Sequence, residues 1–290
     1  MILSFREIRR RIRSVENTKK MTRAMEMVAA AKLKKLQELL KQSDRYIGEL
    51  RRILETLVRE KPLTHPLLEK RAETKSILVF LIASDTGLCG SYNTNILDWT
   101  SRFLKMEGSE KTPHFVTIGR HGATYLKRAK QTISKELEIP RPQEVDEMIR
   151  QVTQIATNEF ISGEADQVVF IYTRVESLGS LKPAVTQLFP IVSGGKETQE
   201  EKLIDYLTEP SLDEVLEIML PEFVEAEVGQ FVKHSLVAEQ ASRMMAMRQA
   251  TDNAKEMVDS LTLLRNKARQ AAITKELLEV VSGSRALQSR

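Results

Sequence analysis

Residues 76–84 read Ser-Ile-Leu-Val-Phe-Leu-Ile-Ala-Ser, an unbroken apolar run that is rich in β-branched and large side chains. A short run of this kind, bounded by polar residues, is typical of a strand that is buried on both faces of a parallel sheet. Similar patterns predict strands at 114–119, 167–175 and 188–192, and helical patterns separate them at 94–106, 122–129 and 144–161. Strands that alternate with helices predict a central open α/β domain, which is Rossmann-like in architecture.

A long helix is predicted on the N-terminal side of this region. A strict 3.5-residue apolar seam begins at Ile8 and reaches Leu57, and the first sixty residues contain no proline. Such a seam is typical of a coiled coil rather than of a short globular helix. The chain therefore opens with a predicted coiled-coil helix over 1–61, and Pro62 and Pro66 follow it.

The seam of this first helix is interrupted by three consecutive polar positions. They are Lys19, Thr22 and Glu26. In this stretch the apolar side chains stand one position before the positions of the seam. We expect them to form a methionine-rich face that turns outward. Its residues are Met21, Met25 and Val28.

A second long helix is predicted after the α/β region. Ser211 is a suitable N-cap, and Pro221 marks either a kink or the first turn of a new helix. A second 3.5-residue seam runs from Met247 to Leu278, and the helix is predicted to end near Ser282 and Gly283. The simplest arrangement is an antiparallel two-helix coiled coil of both termini around the α/β domain, with segments 1–61, 62–210 and 211–290.

The composition supports long helices and excludes several other classes of protein. Only 5% of the 290 residues are aromatic, and there are 12 glycines and 9 prolines, too few for the frequent turns of an all-β fold. A single cysteine excludes an internal disulfide framework and predicts a reducing compartment. The longest apolar run, 77–83, is much shorter than a membrane span, and no signal peptide is evident. We therefore expect a soluble, cytoplasmic chain.

The net charge of +4 conceals a segregation of charge along the chain. Residues 1–35 contain 11 Lys and Arg against 3 Asp and Glu, whereas residues 135–230 contain 7 against 20. Such segregation predicts two different contact surfaces, although long helices also carry many charges on their solvated faces.

The loop Asp85-Thr-Gly-Leu-Cys-Gly-Ser-Tyr-Asn93 follows the first strand, at the position where open α/β sheets bind ligands. Its spacing, Gly87-x-x-Gly90, is not that of a dinucleotide or phosphate loop, and Asp85 would repel a phosphate. Four scattered histidines and a lone Cys89 show no spacing typical of a metal or nucleophilic site. A nucleotide site here is therefore a weak interpretation.

Two stretches interleave cations, methionines and alanines, at 14–32 and 242–254. Flexible, polarisable methionine suits a surface that accepts changing partners. The alternative interpretation is that methionine fills an irregular core. Both interpretations stay open at this point.

The sequence resembles the γ subunit of the F-type ATP synthase in three places. They are Ile8–Leu33 with SVENTKKMTRAMEMVAAAKL, the loop SDTGLCGSYN at 84–93, and Ser242–Leu287 with RMMAMRQATDNAKEMVDSLTLLRNKARQAAITKELLEVVSG. This resemblance implies a central rotor shaft without cofactor, metal or catalytic residue of its own. One copy would stand inside a ring of three α and three β subunits and contact the ε subunit and the ring of c subunits. It would couple ion-driven rotation to the β catalytic sites, at the cytoplasmic face of a bacterial plasma membrane, without entering the membrane itself.

The resemblance also implies which residues contact the partners. Met25 would pass the acidic lever of β, Arg269 and Gln270 would form the upper catch against β, and Arg243 is a further expected contact. Asp85 and Cys89 lie in the loop that approaches the β lever. The end near 277–287 would turn in an apolar sleeve.

Two positions depart from the family pattern. Thr86 stands where the loop usually has Arg, and Arg265 stands where a Tyr usually precedes Asn-Lys-Ala-Arg-Gln. Two other functions remain as alternatives: a nucleotide-binding α/β enzyme with a dimerising coiled coil, and a nucleic-acid-binding coiled coil that uses residues 1–35. The acidic region 135–230 and the lack of basic–aromatic interleaving argue against the latter.

Overall fold

The computed structural model describes residues 5–60, 65–69, 71, 73–107, 111–191, 209 and 211–288. The elements in chain order are α1 (Phe5–Glu60), β1 (Ser76–Ile82), α2 (Tyr92–Glu107), β2 (Thr112–Ile118), α3 (Arg120–Arg128), β3 (Thr132–Leu137), α4 (Val145–Ser162), β4 (Gln167–Ser177), β5 (Ser180–Phe189) and α5 (Leu212–Gln288). The chain divides into two compact units, one formed by 1–28 with 244–290 and the other by 29–243. The three segments expected from the sequence remain a prediction.

The larger unit contains one five-stranded sheet in the order β3-β2-β1-β4-β5. The first four strands pair in parallel, and β5 pairs antiparallel with β4. The chain places β2 and β3 on one side of β1 and then returns to the other side as β4. The connections therefore diverge beyond the carboxyl ends of β1 and β4, which is the usual ligand crevice of an open α/β sheet. The predicted fold class is confirmed.

Alternation along β1 supplies both faces of the core. Ile77, Val79 and Leu81 pack in one cluster with Ile96 of α2 and Leu126 of α3. The intervening side chains point the other way, since successive side chains of a strand alternate between faces. Burial on both faces explains why the strand is an unbroken apolar run.

Aromatic side chains build the second face of the sheet. Phe80 of β1 stacks on Phe170 of β4 with ring centroids 4.5 Å apart. Phe231 of α5 packs on Phe170 at 4.9 Å and on Tyr172 at 4.9 Å. The first part of α5 therefore belongs to the core of the α/β unit.

Two strands differ from their predictions. The edge strand β3 was not predicted, because Thr132–Leu137 carries only Ile133 and Leu137 as apolar residues and one side of an edge strand is solvated. The predicted strand at 188–192 is wrong in its position, since β5 ends at Phe189 and begins at Ser180. Pro183 lies inside β5, which an edge strand tolerates because one row of its backbone groups faces away from the ladder.

The two terminal helices contact each other in both units and run antiparallel in the larger one. In the smaller unit the hydroxyls of Thr22 and Thr251 are hydrogen-bonded at 2.8 Å. In the larger unit Lys233 donates to Ser43 at 3.3 Å. Further along α1, Arg51 forms an ion pair with Glu227, which precedes Lys233 on α5. In the larger unit, residues later on α1 therefore contact residues earlier on α5.

The predicted seam of α1 is buried for most of its length, including Ile8 at 1% exposure and Leu57 at 1%. It also passes through the polar interruption, because Thr22 is 8% exposed and Ala29 is 1% exposed. Met21 and Val28 are 60% and 57% exposed and face outward as predicted, whereas Met25, the third residue of that face, is half-buried.

The start of α5 is as predicted and its end is not. The Ser211 hydroxyl accepts a hydrogen bond from the Glu214 amide at 3.3 Å, which caps the first turn. The helix then continues through Pro221 without a break. It continues past Ser282 and Gly283 to Gln288, since glycine disfavours a helix only weakly and does not forbid it.

One carboxylate fastens the amino ends of two strands. Asp166 accepts hydrogen bonds from the Lys75 and Ser76 amides at 2.9 Å each, and Arg71 donates to it at 3.0 Å. Burial would raise the pKa of Asp166, but these amide bonds and the Arg71 pair outweigh it and hold that pKa below its usual range. A lowered pKa means that the folded state binds the proton less tightly than the unfolded state.

We therefore expect the stability contributed by Asp166 to be present above about pH 4 and to be lost as the pH falls through its lowered pKa. Asp166→Asn should lower the free energy of unfolding by about 1–2 kcal/mol at pH 7, and its difference from the wild type should shrink in acid. Urea unfolding followed by circular dichroism from pH 7 to pH 2.5 measures this. A difference that is independent of pH would contradict it.

Candidate partner-binding surfaces

The two ends of the 84–93 loop are hydrogen-bonded to each other. The Ser84 amide donates to the side-chain oxygen of Asn93 at 3.2 Å, and Asn93 Nδ2 donates to the Ser84 hydroxyl at 2.7 Å. Asn93 Nδ2 also lies 3.3 Å from the sulfur of Cys89. These contacts fix the loop where β1 ends and α2 begins.

Helix α5 holds the middle of this loop through two neighbouring residues. Arg243 donates to the carbonyl oxygens of Gly87 at 2.6 Å and of Thr86 at 3.3 Å. The Ser242 hydroxyl donates to the carbonyl oxygen of Cys89 at 2.6 Å. Two adjacent residues of α5 thus bind the backbone carbonyl groups of Thr86, Gly87 and Cys89.

The expected contact residue Arg243 is buried rather than presented to solvent. Its side chain is 11% exposed and forms an ion pair with Glu239 at 2.6 Å, and the Glu239 side chain is 5% exposed. Burial raises the pKa of Glu239 above its usual range, and the adjacent Arg243 guanidinium opposes that rise. Oxygen Oε2 of Glu239 is buried with no hydrogen-bond partner among the described residues. A partner-contact role for Arg243 stays a prediction.

Both carboxylate oxygens of Asp85 accept hydrogen bonds from backbone amides of the same chain. One carboxylate oxygen accepts from the Arg120 amide at 3.0 Å, in the first turn of α3, and the other accepts from the Ile139 amide at 2.9 Å. A helix N-terminus attracts anions, and here a carboxylate of the protein occupies it. This arrangement explains why an Asp stands after β1 and gives no support to phosphate binding at this helix.

Cys89 is 2% exposed and packs with Tyr92 and Ala238 in a small cluster. Burial raises the pKa of Tyr92, and Glu239 adds to that effect. Cys89 therefore faces the interior of the unit, and its predicted contact with a partner remains untested.

Helix α5 also covers the carboxyl end of β4. The Thr173 amide donates to the Ser235 hydroxyl at 3.1 Å, and the Val175 amide lies 3.3 Å from Nδ1 of His234. Together with Ser242 and Arg243, these residues fill the crevice at the divergence of β1 and β4. The place where such a sheet would bind a nucleotide is occupied by the protein's own helix.

One apolar residue of the loop is exposed. Leu88 is 61% exposed and has a φ of 64°, in the left-handed region that residues other than glycine rarely adopt. The neighbouring Thr86, Gly87, Gly90 and Ser91 are also exposed. The outward side of the loop is thus uncharged, and its apolar component is Leu88.

In the smaller unit, Met25 is half-buried on a helix surface that carries exposed methionines. Met27 of the same turn is 57% exposed, and Met245 of α5 is 40% exposed. Cations flank this surface, since Lys20 and Arg23 are also exposed. Met27 and Met245 are therefore available to partners, whereas Met247 is 4% exposed, so each interpretation holds for part of these stretches.

The predicted catch residues lie on an uncovered part of α5. Arg269 and Gln270 are exposed, and so is every residue from 269 to 282. Leu277, Leu278 and Val280 are 62%, 64% and 70% exposed. A helix with this much exposed aliphatic surface is typical of a segment that is covered in an assembly.

Two properties of the described residues bear on membranes and metals. None of their helices has an apolar stretch long enough to cross a membrane. Within the same residues, no three His, Cys, Asp or Glu side chains stand close enough together to hold a metal ion.

Exposed aliphatic side chains on the last part of α5, and an α/β unit whose own helix binds the loop after β1, are typical of a chain that works within an assembly. Comparison with known proteins agrees: the sequence model described as ATP synthase matches residues 4–287. The ATP synthase gamma chain of Dehalococcoides mccartyi is 41% identical over 290 residues, covering 98% of this chain and 99% of that protein. The gamma chain of a Janthinobacterium species is 37% identical, with 98% and 99% covered. The chain belongs to the ATP synthase gamma chain family.

Solved structures share the fold at lower sequence identity. A chain of the Euglena gracilis mitochondrial ATP synthase rotor has a TM-score of 0.64 at 17% identity, covering 93% of this chain and 98% of that one. A chain of the Tetrahymena thermophila mitochondrial ATP synthase central stalk and c ring has a TM-score of 0.56 at 22% identity, covering 79% and 99%. These likenesses support the fold assignment.

Proposed function

We propose that this chain is the central-stalk rotor subunit of a rotary F-type ATP synthase. It couples ion-driven rotation of a c ring to conformational change at catalytic sites on three β subunits. The observation that carries the proposal is family membership over almost the whole chain, from residue 4 to 287. The exposed surface at 269–282 and the exposed methionines near Met25 support the proposal, since a rotor needs surfaces that its partners can reach.

The physical requirements of a rotor are met by the helical pair. A rotor must differ from one side to the other, because a ligand or subunit shifts an equilibrium only through unequal contacts with its states. The smaller unit has such asymmetry, with Met21 and Val28 exposed on α1 and the charged Asp252, Lys255 and Glu256 exposed on α5. A β subunit that faces the methionine-rich side thus meets different chemistry from one that faces the opposite side.

The proposed partners are three α and three β subunits, an ε subunit and the c ring, with one copy of this chain in each complex. The basic stretch 1–35 suits a ring whose inner surface is acidic, because opposite charges steer and orient association. Met25, Arg269 and Gln270 are the proposed contacts with β. We place the catalytic residues on the β subunits, and the complex at the cytoplasmic face of a bacterial plasma membrane, with this chain as a peripheral part.

The nucleotide-binding alternative has no geometric support. Asp85 occupies the N-terminus of α3, and α5 fills the crevice beyond β1 and β4. A phosphate would have to displace a carboxylate that is bound to two backbone amides. The rotor therefore remains the single proposed function.

The test is ATP hydrolysis by α and β subunits reconstituted with and without this chain. We expect the chain to convert a poorly active mixture into a complex with sustained hydrolysis, because the rotor drives the β sites through unequal states in turn. An unchanged rate, or hydrolysis by this chain alone, would contradict the proposal. A variant with the exposed Met106→Lys change is a suitable control for the effect of surface substitution in the α/β unit.

A further inference from the structure

A buried ion pair on α5 lies at the centre of the contacts with the 84–93 loop. Glu239 and Arg243 stand one helical turn apart, and their charged atoms are 2.6 Å apart. Burying two charges is unfavourable unless the geometry is good and the other donors are satisfied. Arg243 also donates to the loop carbonyls of Thr86 and Gly87.

We propose that Glu239 is a positioning residue that orients Arg243, so that the 84–93 loop is fastened to helix α5 and moves with it as one body. We call Glu239, Ser242 and Arg243 the α5 clamp. The fastening is a property of this chain alone. Its consequence for coupling rests on the proposed rotor function.

Glu239 orients the planar guanidinium of Arg243 because it holds one terminal nitrogen in place. The remaining donors of that rigid group then point at the loop. One nitrogen of Arg243 bonds Glu239 and Thr86, and the other bonds Gly87. Gln240 donates to the same oxygen of Glu239 at 3.2 Å and helps to hold that carboxylate. Removing the carboxylate charge leaves a buried guanidinium without its counter-ion.

The α5 clamp also accounts for the strained residue in the loop. Leu88 lies between two residues whose carbonyl groups are bound by Arg243 and Ser242. Strain of this kind persists only where surrounding contacts over-determine the backbone. The clamp therefore holds Leu88 in the left-handed conformation with its side chain outward, where the loop can meet a subunit of the proposed ring.

The single cysteine of the chain reports on the fastening directly. Cys89 is 2% exposed, and a maleimide reaches its sulfur only when the loop opens. We expect Glu239→Gln in the purified full chain to raise the labelling rate of Cys89 by at least about tenfold, as for the loss of a buried charge partner. A rate within about twofold of the wild type would overturn the proposal.

Glu227→Gln is the matched control. Glu227 is a buried carboxylate on the same helix, 7% exposed and paired with Arg51, but it does not contact the loop. We expect this variant to lose stability without faster labelling of Cys89. Equal acceleration in both variants would mean that general destabilisation opens the loop, and it would overturn the proposal.

A double variant separates fastening from stability. In Glu239→Gln with Arg243→Met no buried charge is left unpaired, so the melting temperature should return towards the wild type. Labelling of Cys89 should stay fast, because the donors to Thr86 and Gly87 are gone. Recovery of both properties together would assign the ion pair a purely structural role and overturn the proposal.

The consequence for coupling is measured in the complex reconstituted with α and β subunits. Glu239→Gln should lower the ATP hydrolysis rate, and Glu227→Gln should lower it less. If Cys89 labelling rises while hydrolysis stays at the wild-type rate, the loop is fastened but its position does not matter for coupling. Failure of the wild-type chain to stimulate hydrolysis is a different result, and it would contradict the proposed function instead.

Discussion

Gly119→Ala is expected to unfold the α/β unit, with a loss of at least about 3 kcal/mol in the free energy of unfolding. Gly119 has a φ of 101°, a conformation that an alanine adopts only with strain. A Cβ at this position would also lie 2.8 Å from the carbonyl carbon of Ala83. The neighbour is backbone of the loop that follows β1, so it cannot rotate away as a side chain could.

The same site explains why so small a change has so large an effect. The Gly119 amide donates to the Leu137 carbonyl oxygen at 2.8 Å, and the Ala83 amide donates to the Ile118 carbonyl oxygen at 2.8 Å. A shift of Gly119 therefore disturbs the ends of β1, β2 and β3 together. Thermal unfolding followed by circular dichroism measures the loss.

Gly48→Ala is the control for the effect of the added methyl group. Gly48 lies within α1, and no atom stands within 4 Å of a Cβ built there. Alanine favours a helix over glycine, so this variant should be more stable than the wild type by about 0.5–1 kcal/mol. A Gly119→Ala protein that melts at the wild-type temperature would contradict the described geometry.

Arg269→Ala is expected to lower the ATP hydrolysis rate of the reconstituted complex by about tenfold, as for one interaction of about 1.4 kcal/mol that is made in the rate-limiting state. Arg269 is exposed, and its side chain has no ion pair among the described residues. The loss of its side chain should therefore leave the melting temperature of the isolated chain unchanged. A forked guanidinium is suited to the carboxylates of a partner.

Lys267→Ala is the matched control for this variant. Lys267 is also an exposed cation on α5, two residues away and so on another face of the helix. We expect its hydrolysis rate to stay near the wild type. Equal losses in both variants would show that the helix contributes only its charge, and the assignment of Arg269 as a specific contact would then be wrong.

Much of the fold could be predicted because local patterns determine it. The run 76–84 is apolar at every position from Ile77 to Ala83 because β1 is covered on both faces. The 3.5-residue seam identifies Ile8 and Leu57 as buried positions, and the residue type at Ser211 identifies the N-cap of α5. Each of these features depends on residues that are close in sequence.

The strand errors have the opposite cause. Strand β3 lies at the edge of the sheet and needs few apolar residues, so its pattern resembles that of a loop. Strand β5 keeps Pro183 because its outer backbone groups are not needed by a neighbour. In both cases the tolerated residues depend on the position of the strand in the sheet. That position is set by long-range pairing and cannot be seen in the local pattern.

The polar contacts of the site could not be predicted for the same reason. Arg243 and Gly87 are 156 positions apart, and Asp85 and Ile139 are 54 apart. Glu239 was not singled out, because a Glu one turn before an Arg on a helix is usually a solvated pair. The tertiary fold alone turns this pair towards the 84–93 loop and buries it.

Rotation of single complexes tests the central claim most directly. Complexes of this chain with α and β subunits would be fixed to a surface through β, and a bead would be linked to Met106→Cys, a position that is 77% exposed in the wild type. The account predicts rotation in one direction during ATP hydrolysis, with three evenly spaced pauses in each turn at limiting ATP. A bead that stays still or only diffuses while the same complexes hydrolyse ATP would contradict it.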